Sequence, residues 1–117
     1  MNKFLFFLSL FKGWKDAYAL YFENKQKGIK GYSLVYKNKW LENVCMLPKK
    51  SCTICQNKAY SPYDIEAVRK HLLSSYDDII GIYPLLKDDT CYFLAIDFDD
   101  KNFKDDVIAV KKKLHRF

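Results

Sequence analysis

The sequence predicts one mixed α+β domain over residues 1–117, with the order helix, β-hairpin, cysteine loop, helix, β-hairpin, helix. Some segments carry apolar residues at helical spacing, and others are aromatic-rich stretches separated by charged turns. Half of the 117 residues are hydrophobic, and the chain has only four Gly and three Pro. This composition excludes a disordered or collagen-like chain.

The first segment, residues 3–12, is predicted to be a helix that ends near Gly13. Phe4, Leu8 and Phe11 lie on one face at helical spacing. The apolar start also has some features of an export signal, but charged residues separate it from the cleavage-like Ala-Tyr-Ala at 17–19. We therefore expect an amphipathic helix and a cytoplasmic protein.

A β-hairpin is expected next, with strands at residues 17–24 and 31–40 around the charged turn NKQKGIKG. Its aromatic and basic residues have two interpretations. They form either a nucleic-acid face, with rings stacking on bases and lysines following phosphates, or a hairpin with one packed and one solvated face. The residues concerned are Tyr18, Tyr21, Tyr32, Tyr36, Trp40, Lys25, Lys27, Lys30, Lys37 and Lys39.

The second half begins with a predicted helix that has Ser61 as its N-cap, Pro62 at its first position and Asp64 completing a capping box. A second hairpin follows, with strands at 79–86 and 91–98. The last helix is capped by Asn102, and its apolar face is expected to hold Phe103, Val107, Val110 and Leu114.

Two carboxylates end the most apolar predicted strand. Because side chains alternate along a strand, Asp97 and Asp99 are expected on one side, with Phe98 on the other. Their mutual repulsion is relieved by a divalent cation, and Mg²⁺ or Mn²⁺ takes such oxygen ligands. This pair indicates metal-dependent phosphoryl or nucleotidyl transfer. The alternative is that the acids only begin a solvated loop.

The loop at residues 43–60 is cysteine-rich and is a candidate zinc knuckle. Cys45, Cys52 and Cys55 supply three thiolates, and the spacing of the last two is typical of half a zinc site. A fourth ligand is required: His71 is the candidate, whereas Cys91 is expected to be a packed thiol in its strand. Free, reduced cysteines are the alternative to Zn²⁺.

No apolar run is long enough for a membrane span, so no membrane partner is expected. The net charge of +6 is compatible with a polyanionic partner, and equally with an ordinary solvated surface.

The chain as a whole resembles the archaeo-eukaryotic primase domain of TOTE conflict systems and of related CRISPR-associated primase-polymerases. Four stretches carry the resemblance in order: 9–40, 45–55 (CMLPKKSCTIC), 60–72 (YSPYDIEAVRKHL) and 81–100 (GIYPLLKDDTCYFLAIDFDD). It implies a primase or polymerase type of nucleotidyltransferase that acts on nucleic acid and nucleotides. It also implies that Asp97 and Asp99 are the catalytic metal-binding pair for Mg²⁺ or Mn²⁺.

The resemblance also implies parts that this chain does not contain. Members of the family continue to a serine-x-histidine motif and a third acid, and His115 does not supply that motif. We therefore expect the N-terminal half of a primase-like catalytic domain, incomplete and inactive alone, whose missing half or helicase and nuclease partner domains lie elsewhere. The alternative from a different class is a non-catalytic, zinc-stabilised nucleic-acid-binding module. A vestigial product without activity is the third interpretation.

Overall fold

The architecture is mixed α+β, as the sequence predicts. The computed structural model describes residues 2–51, 54–73, 75 and 78–116. Within these ranges three helices and three strands follow one another in the order α1 (Lys3–Leu10), β1 (Ala19–Asn24), β2 (Ile29–Leu34), α2 (Ile65–Leu72), β3 (Ile80–Gly81) and α3 (Phe103–Leu114). None of these helices has the length and apolarity to cross a bilayer.

The sheet is antiparallel, and β1 is its central strand, with β2 on one side and β3 on the other. Tyr21 lies opposite Tyr32 on β2, and Ala19 lies opposite Gly81 on β3. The first predicted hairpin is confirmed, but β2 occupies Ile29–Leu34 rather than 31–40. Beyond Leu34 the chain leaves β1 and forms only an isolated bridge between Tyr36 and Tyr60.

The core lies on one face of the sheet, between β1 and the helices α1 and α2. Alternation along β1 directs Tyr18 and Leu20 to this face. Buried there are Phe4, Tyr18, Tyr63, Ala67 and Val68, with Leu20 and Ile80 packed against them. The side chain of Val68 is fully enclosed. This face therefore accounts for most of the apolar burial that holds the described residues together.

Helix α1 begins at a local side-chain cap, and the chain that follows it makes a long-range backbone contact. The Asn2 side chain caps it by accepting from the Phe4 N–H at 2.9 Å. The chain then passes close to residue 83, where the Trp14 N–H donates to the Tyr83 carbonyl at 2.8 Å. A Cβ at Gly13 would lie only 2.6 Å from that carbonyl oxygen. A glycine is therefore required here by close backbone approach.

The N-cap of α2 is Asp64, and the predicted Ser61 cap is wrong. Asp64 Oδ1 accepts from the N–H groups of Glu66 at 3.0 Å and Ala67 at 3.1 Å. Ser61 instead uses its own N–H to reach the Val35 carbonyl at 3.0 Å. That long-range bond holds Ser61 beside the sheet, so the helix starts one turn later with the next available capping side chain.

The second predicted hairpin does not form, which corrects the expectation for 79–86 and 91–98. The first strand is reduced to Ile80–Gly81. A bond from the Leu86 N–H to the Thr90 carbonyl, at 2.9 Å, closes a turn, but residues 91–98 form no strand. Strands need a backbone partner as well as apolar side chains, and no described residue supplies one here. Leu94 is consequently 73% exposed.

Helix α3 follows Asn102 as predicted, although the Asn102 side chain makes no capping hydrogen bond. None of its residues is buried. Its predicted apolar face is confirmed in part, because Val107, Val110 and Leu114 line one open groove together. The helix is thus amphipathic, with its apolar stripe half-covered.

Two core tyrosines are held in the neutral form. Burial raises the pKa of Tyr63 above its ordinary value of 10.0. Burial is also the main cause of the raised pKa of Tyr18, with smaller contributions from the charges of Asp78 and Asp64. The Tyr63 hydroxyl donates to the Phe11 carbonyl at 3.0 Å, which joins the segment just before α2 to the C-cap of α1.

Replacing the cap of α2 tests the observed helix start. We expect Asp64→Ala to lower the free energy of unfolding by about 1 kcal/mol, because two N–H groups lose their acceptor. Asp64→Asn retains an acceptor at the same place and should cost much less. Urea unfolding followed by circular dichroism measures both. Equal stability of Asp64→Ala and the parent would contradict this assignment, as would a comparable loss in Ser61→Ala.

Tyr63 supports a prediction about pH. Because its pKa is raised on folding, the stability from the neutral phenol is fully present below pH 10 and is lost as pH rises through the folded pKa. Tyr63→Phe should cost about 1 kcal/mol at neutral pH through the lost hydrogen bond. It should also flatten the decline of stability in alkali. Tyr92→Phe, at an exposed position, is the control. An alkaline decline that is unchanged in Tyr63→Phe would count against this role.

Candidate functional site

The two predicted metal ligands, Asp97 and Asp99, lie in an irregular, exposed segment between the turn at 86–90 and α3. The prediction that they end a strand is wrong, for the reason given above. Neither side chain makes a hydrogen bond or an ion pair with any residue in the described ranges. Their neighbour Asp100 is engaged differently, since its carbonyl accepts from the Phe103 N–H at 3.1 Å at the start of α3.

The alternation expected of a strand survives in part of this segment. Leu94, Ile96 and Phe98 line one side of an open groove, and α3 provides the other side. Asp97 and Asp99, the residues between and after them, are exposed and do not line this groove. The apolar side chains thus face α3 while both carboxylates reach solvent.

The two carboxylates are accessible, but among the described residues they have no third protein ligand close by. No group of three or more His, Cys, Asp or Glu side chains within the described ranges is arranged to hold a metal ion. Two carboxylates suit a hard cation that keeps several of its waters, as Mg²⁺ commonly does. A cation held by only two carboxylates would keep coordination positions for phosphate oxygens.

The cysteine loop brings two of its three thiols together. Cys55 is buried and Cys45 is half-buried, and both line one small cavity of about 20 Å³. Cys52 lies outside the described residues. The structure therefore places two of the predicted zinc ligands beside the same space.

Two asparagines hold this loop against the end of the hairpin. The Asn38 amide donates to the Asn57 carbonyl at 2.6 Å, and the Asn57 amide donates to the Val44 carbonyl at 3.0 Å. Sequence reasoning missed both residues, because single amides in an aperiodic loop carry no pattern. The only available signal was the high content of turn-forming residues around them.

His71, the candidate fourth zinc ligand, lies near the end of α2. Its Nδ1 is 3.0 Å from the Asp78 carbonyl, and its ring packs against Phe7 of α1 at 5.6 Å between centroids. Neither contact involves the cysteine loop. His71 does not line the cavity shared by Cys45 and Cys55.

Cys91 is exposed, so its expected role as a packed thiol is wrong. The predicted strand that would have buried it does not form in the described chain. Its exposure follows directly from the absence of a partner strand for residues 91–98.

Comparison with known protein families gives a match over nearly the whole chain. The profile described as "TOTE conflict system, Archaeo-Eukaryotic Primase domain" matches residues 2–117. Searches of curated proteins and of solved structures gave no match. The match spans both hairpin strands, the cysteine loop and the acidic segment, so the chain belongs to the archaeo-eukaryotic primase domain family of TOTE conflict systems.

Proposed function

We propose that this chain carries the metal-binding carboxylates of a primase or polymerase type of nucleotidyltransferase, with Asp97 and Asp99 as the ligands of Mg²⁺ or Mn²⁺. Membership of the primase family supports this reaction class. The observation that carries the assignment of residues is the exposure of both carboxylates on a segment whose apolar side chains face α3.

The chemistry of the donors fits the proposed cation. Carboxylate oxygens are hard ligands, and Mg²⁺ and Mn²⁺ prefer them to thiolates or imidazoles. Both side chains are free of competing contacts with described residues, so neither has to break an ion pair before it binds. A cation bound there would favour ionisation of an attacking hydroxyl and stabilise charge on a leaving pyrophosphate.

The residues of this chain perform the positioning part of that chemistry. Leu94, Ile96 and Phe98 line the open groove beside α3, and we propose that their packing in the assembled site would orient the acidic segment. Positioning is a large part of catalysis in phosphoryl and nucleotidyl transfer, since the metal and the phosphates must be held in line. With two carboxylates and no third ligand in the described ranges, we propose metal binding with little synthesis by this chain alone.

Further groups are therefore required for turnover. We propose that a second polypeptide segment supplies the groups that bind nucleotide phosphates and the third acid, and that template and nucleotides are the substrates. A cytoplasmic location accompanies this proposal, since reduced cysteines and nucleic acid are found together there.

A second function is favoured by the cysteine loop. Cys45 and Cys55 share a cavity, and a lysine-rich loop of this kind gains order from bound metal. In this alternative the chain is a non-catalytic nucleic-acid-binding module that Zn²⁺ stabilises. Two thiols on one cavity fit zinc chemistry, with Cys52 as the third ligand by sequence.

Removal of the carboxylate pair tests the first proposal. We expect Asp97→Asn/Asp99→Asn to weaken Mn²⁺ binding by roughly tenfold or more, since loss of direct ligands should cost at least as much as loss of their supporting partners. Titration by electron paramagnetic resonance measures the free ion. Primer extension with Mn²⁺ on the same samples reports any synthesis.

The matched control is Asp105→Asn/Asp106→Asn, which removes the same charge from the first turn of α3. It should retain Mn²⁺ affinity. Equal weakening in both double variants would indicate general charge attraction, and unchanged binding in the first would exclude Asp97 and Asp99 as ligands.

Metal analysis tests the zinc alternative. The reduced chain should carry about one equivalent of Zn²⁺, lost in Cys55→Ser because a tetrahedral site needs all its ligands. Cys91→Ser should retain the metal, because Cys91 is exposed and outside the loop. Loss of zinc from His71→Gln in the same assay would identify His71 as the fourth ligand, and retention of zinc would exclude it. Absence of zinc from the parent chain, or its retention in Cys55→Ser, would refute the site.

A further inference from the structure

The sheet has a second face, opposite to the helices, that carries an aromatic pair. Since Tyr18 and Leu20 point to the core, alternation places Tyr21 on the other side of β1. Tyr32 lies directly opposite Tyr21 on β2. Their ring centroids are 5.5 Å apart with an interplanar angle of 65°. We call this pair, with Lys30 beside it, the hairpin platform.

The platform is open to solvent. Tyr32 is 57% exposed, although it lies in the middle of a paired strand. Both side chains project from the face that α1 and α2 do not cover. A large aromatic surface left in water is costly, and such surfaces commonly mark binding sites.

Gly81 of β3 makes room for the Tyr32 ring. A Cβ at Gly81 would lie 3.1 Å from Cδ1 of Tyr32 and 3.4 Å from Cε1. The ring therefore reaches across the central strand as far as β3. A glycine in a strand often marks such a close approach. The position of the ring is thus determined by packing over the sheet, and the ring is preorganised.

Positive charge is concentrated on the hairpin and on the residues that follow it. Between residues 19 and 40 the chain has five lysines and one glutamate, a net +4 out of the +6 of the whole chain. Lys30 lies on the same face of β2 as Tyr32, two residues before it. Its partner across the strands is Glu23 of β1. All five lysines are exposed, and none forms an ion pair within the described part of the chain. They are Lys25, Lys27, Lys30, Lys37 and Lys39.

We propose that the hairpin platform binds single-stranded nucleic acid, with a base stacked on the exposed Tyr32 ring, which Tyr21 supports edge to face, and with phosphates bound by Lys30 and the turn lysines. Base stacking on aromatic side chains, combined with a basic surface that follows the backbone, is how proteins bind single strands without sequence preference. Duplex bases are stacked on one another and leave no free face for Tyr32. The platform therefore discriminates against duplex.

The choice of nucleic acid over another polyanion rests on the proposed function, whereas the aromatic pair and the charge are independent of it. The platform does not include Asp97 or Asp99 and requires no metal ion. Its test is therefore carried out in EDTA, so that failure of metal binding at the carboxylates does not affect the result.

Fluorescence anisotropy with a labelled oligothymidine of about twenty nucleotides tests the platform, since one such surface covers about 4–16 nucleotides. We expect Tyr32→Ala to weaken binding roughly tenfold, because a stacking surface is lost. Tyr32→Phe should bind like the parent, since it keeps the ring. Lys30→Gln should reduce the slope of log affinity against log salt by about 0.7, the value for one phosphate contact on a single strand.

The control is Tyr92→Ala, which removes a tyrosine of nearly equal exposure, 56%, from a different segment. It should bind like the parent. Gly81→Ala provides a second variant at the platform and should weaken binding by displacing the Tyr32 ring. Circular dichroism establishes that each variant is folded.

Three results would overturn the proposal. The first is absence of oligothymidine binding by the parent chain. The second is full binding by Tyr32→Ala, or an equal loss in Tyr92→Ala. The third is a loss of inorganic polyphosphate binding in Tyr32→Ala that is as large as its loss of oligothymidine binding. Polyphosphate has no base to stack, so this result would show that the Tyr32 ring does not bind bases.

Discussion

The position of β1 at the centre of the sheet is the constraint on which the rest of the structure depends. Both edges of β1 are paired, with β2 on one side and β3 on the other. Because successive side chains point to opposite faces, β1 divides the molecule into two surfaces. Leu20 and its neighbours meet α1 and α2 in the core, while Tyr21 meets Tyr32 on the open side. One strand thus sets both the stability of the domain and the surface proposed for nucleic acid.

The acidic segment lacks the strand pairing that organises the first hairpin. Residues 91–98 are the most apolar stretch of the second half, yet they form no strand, because hydrogen-bond partners and not side-chain hydrophobicity decide whether a ladder forms. The segment still alternates in part, because Leu94, Ile96 and Phe98 line an open groove beside α3. Asp97 and Asp99 do not line this groove and are exposed. On the proposed function, these exposed carboxylates are the groups that would bind the cation.

The cysteine loop depends on polar contacts rather than on apolar burial. Asn38 and Asn57 bridge its two ends through their side-chain amides, and Cys55 is buried beside Cys45. A loop ordered in this way has few contacts to lose, so a metal bound to its thiolates would add a large share of its stability. His71 belongs to a different environment, against Phe7 and the Asp78 carbonyl. The structure therefore does not bring His71 to the cavity that Cys45 and Cys55 share.

The sequence alone determined the fold class, the first hairpin and the last helix, because side-chain periodicity and turn residues act over a few neighbouring positions. It also pointed to the family through the order of its motifs, which the profile match confirms. Tertiary structure decided the start of α2, where a bond from Ser61 to Val35 outweighed a favourable local cap. The tertiary structure also decided that the second hairpin does not form, because strand pairing depends on backbone groups from distant segments of the chain. The proximity of Cys45 to Cys55, and of Tyr32 to Gly81, likewise arises from contacts between segments far apart in the chain, which no local pattern encodes.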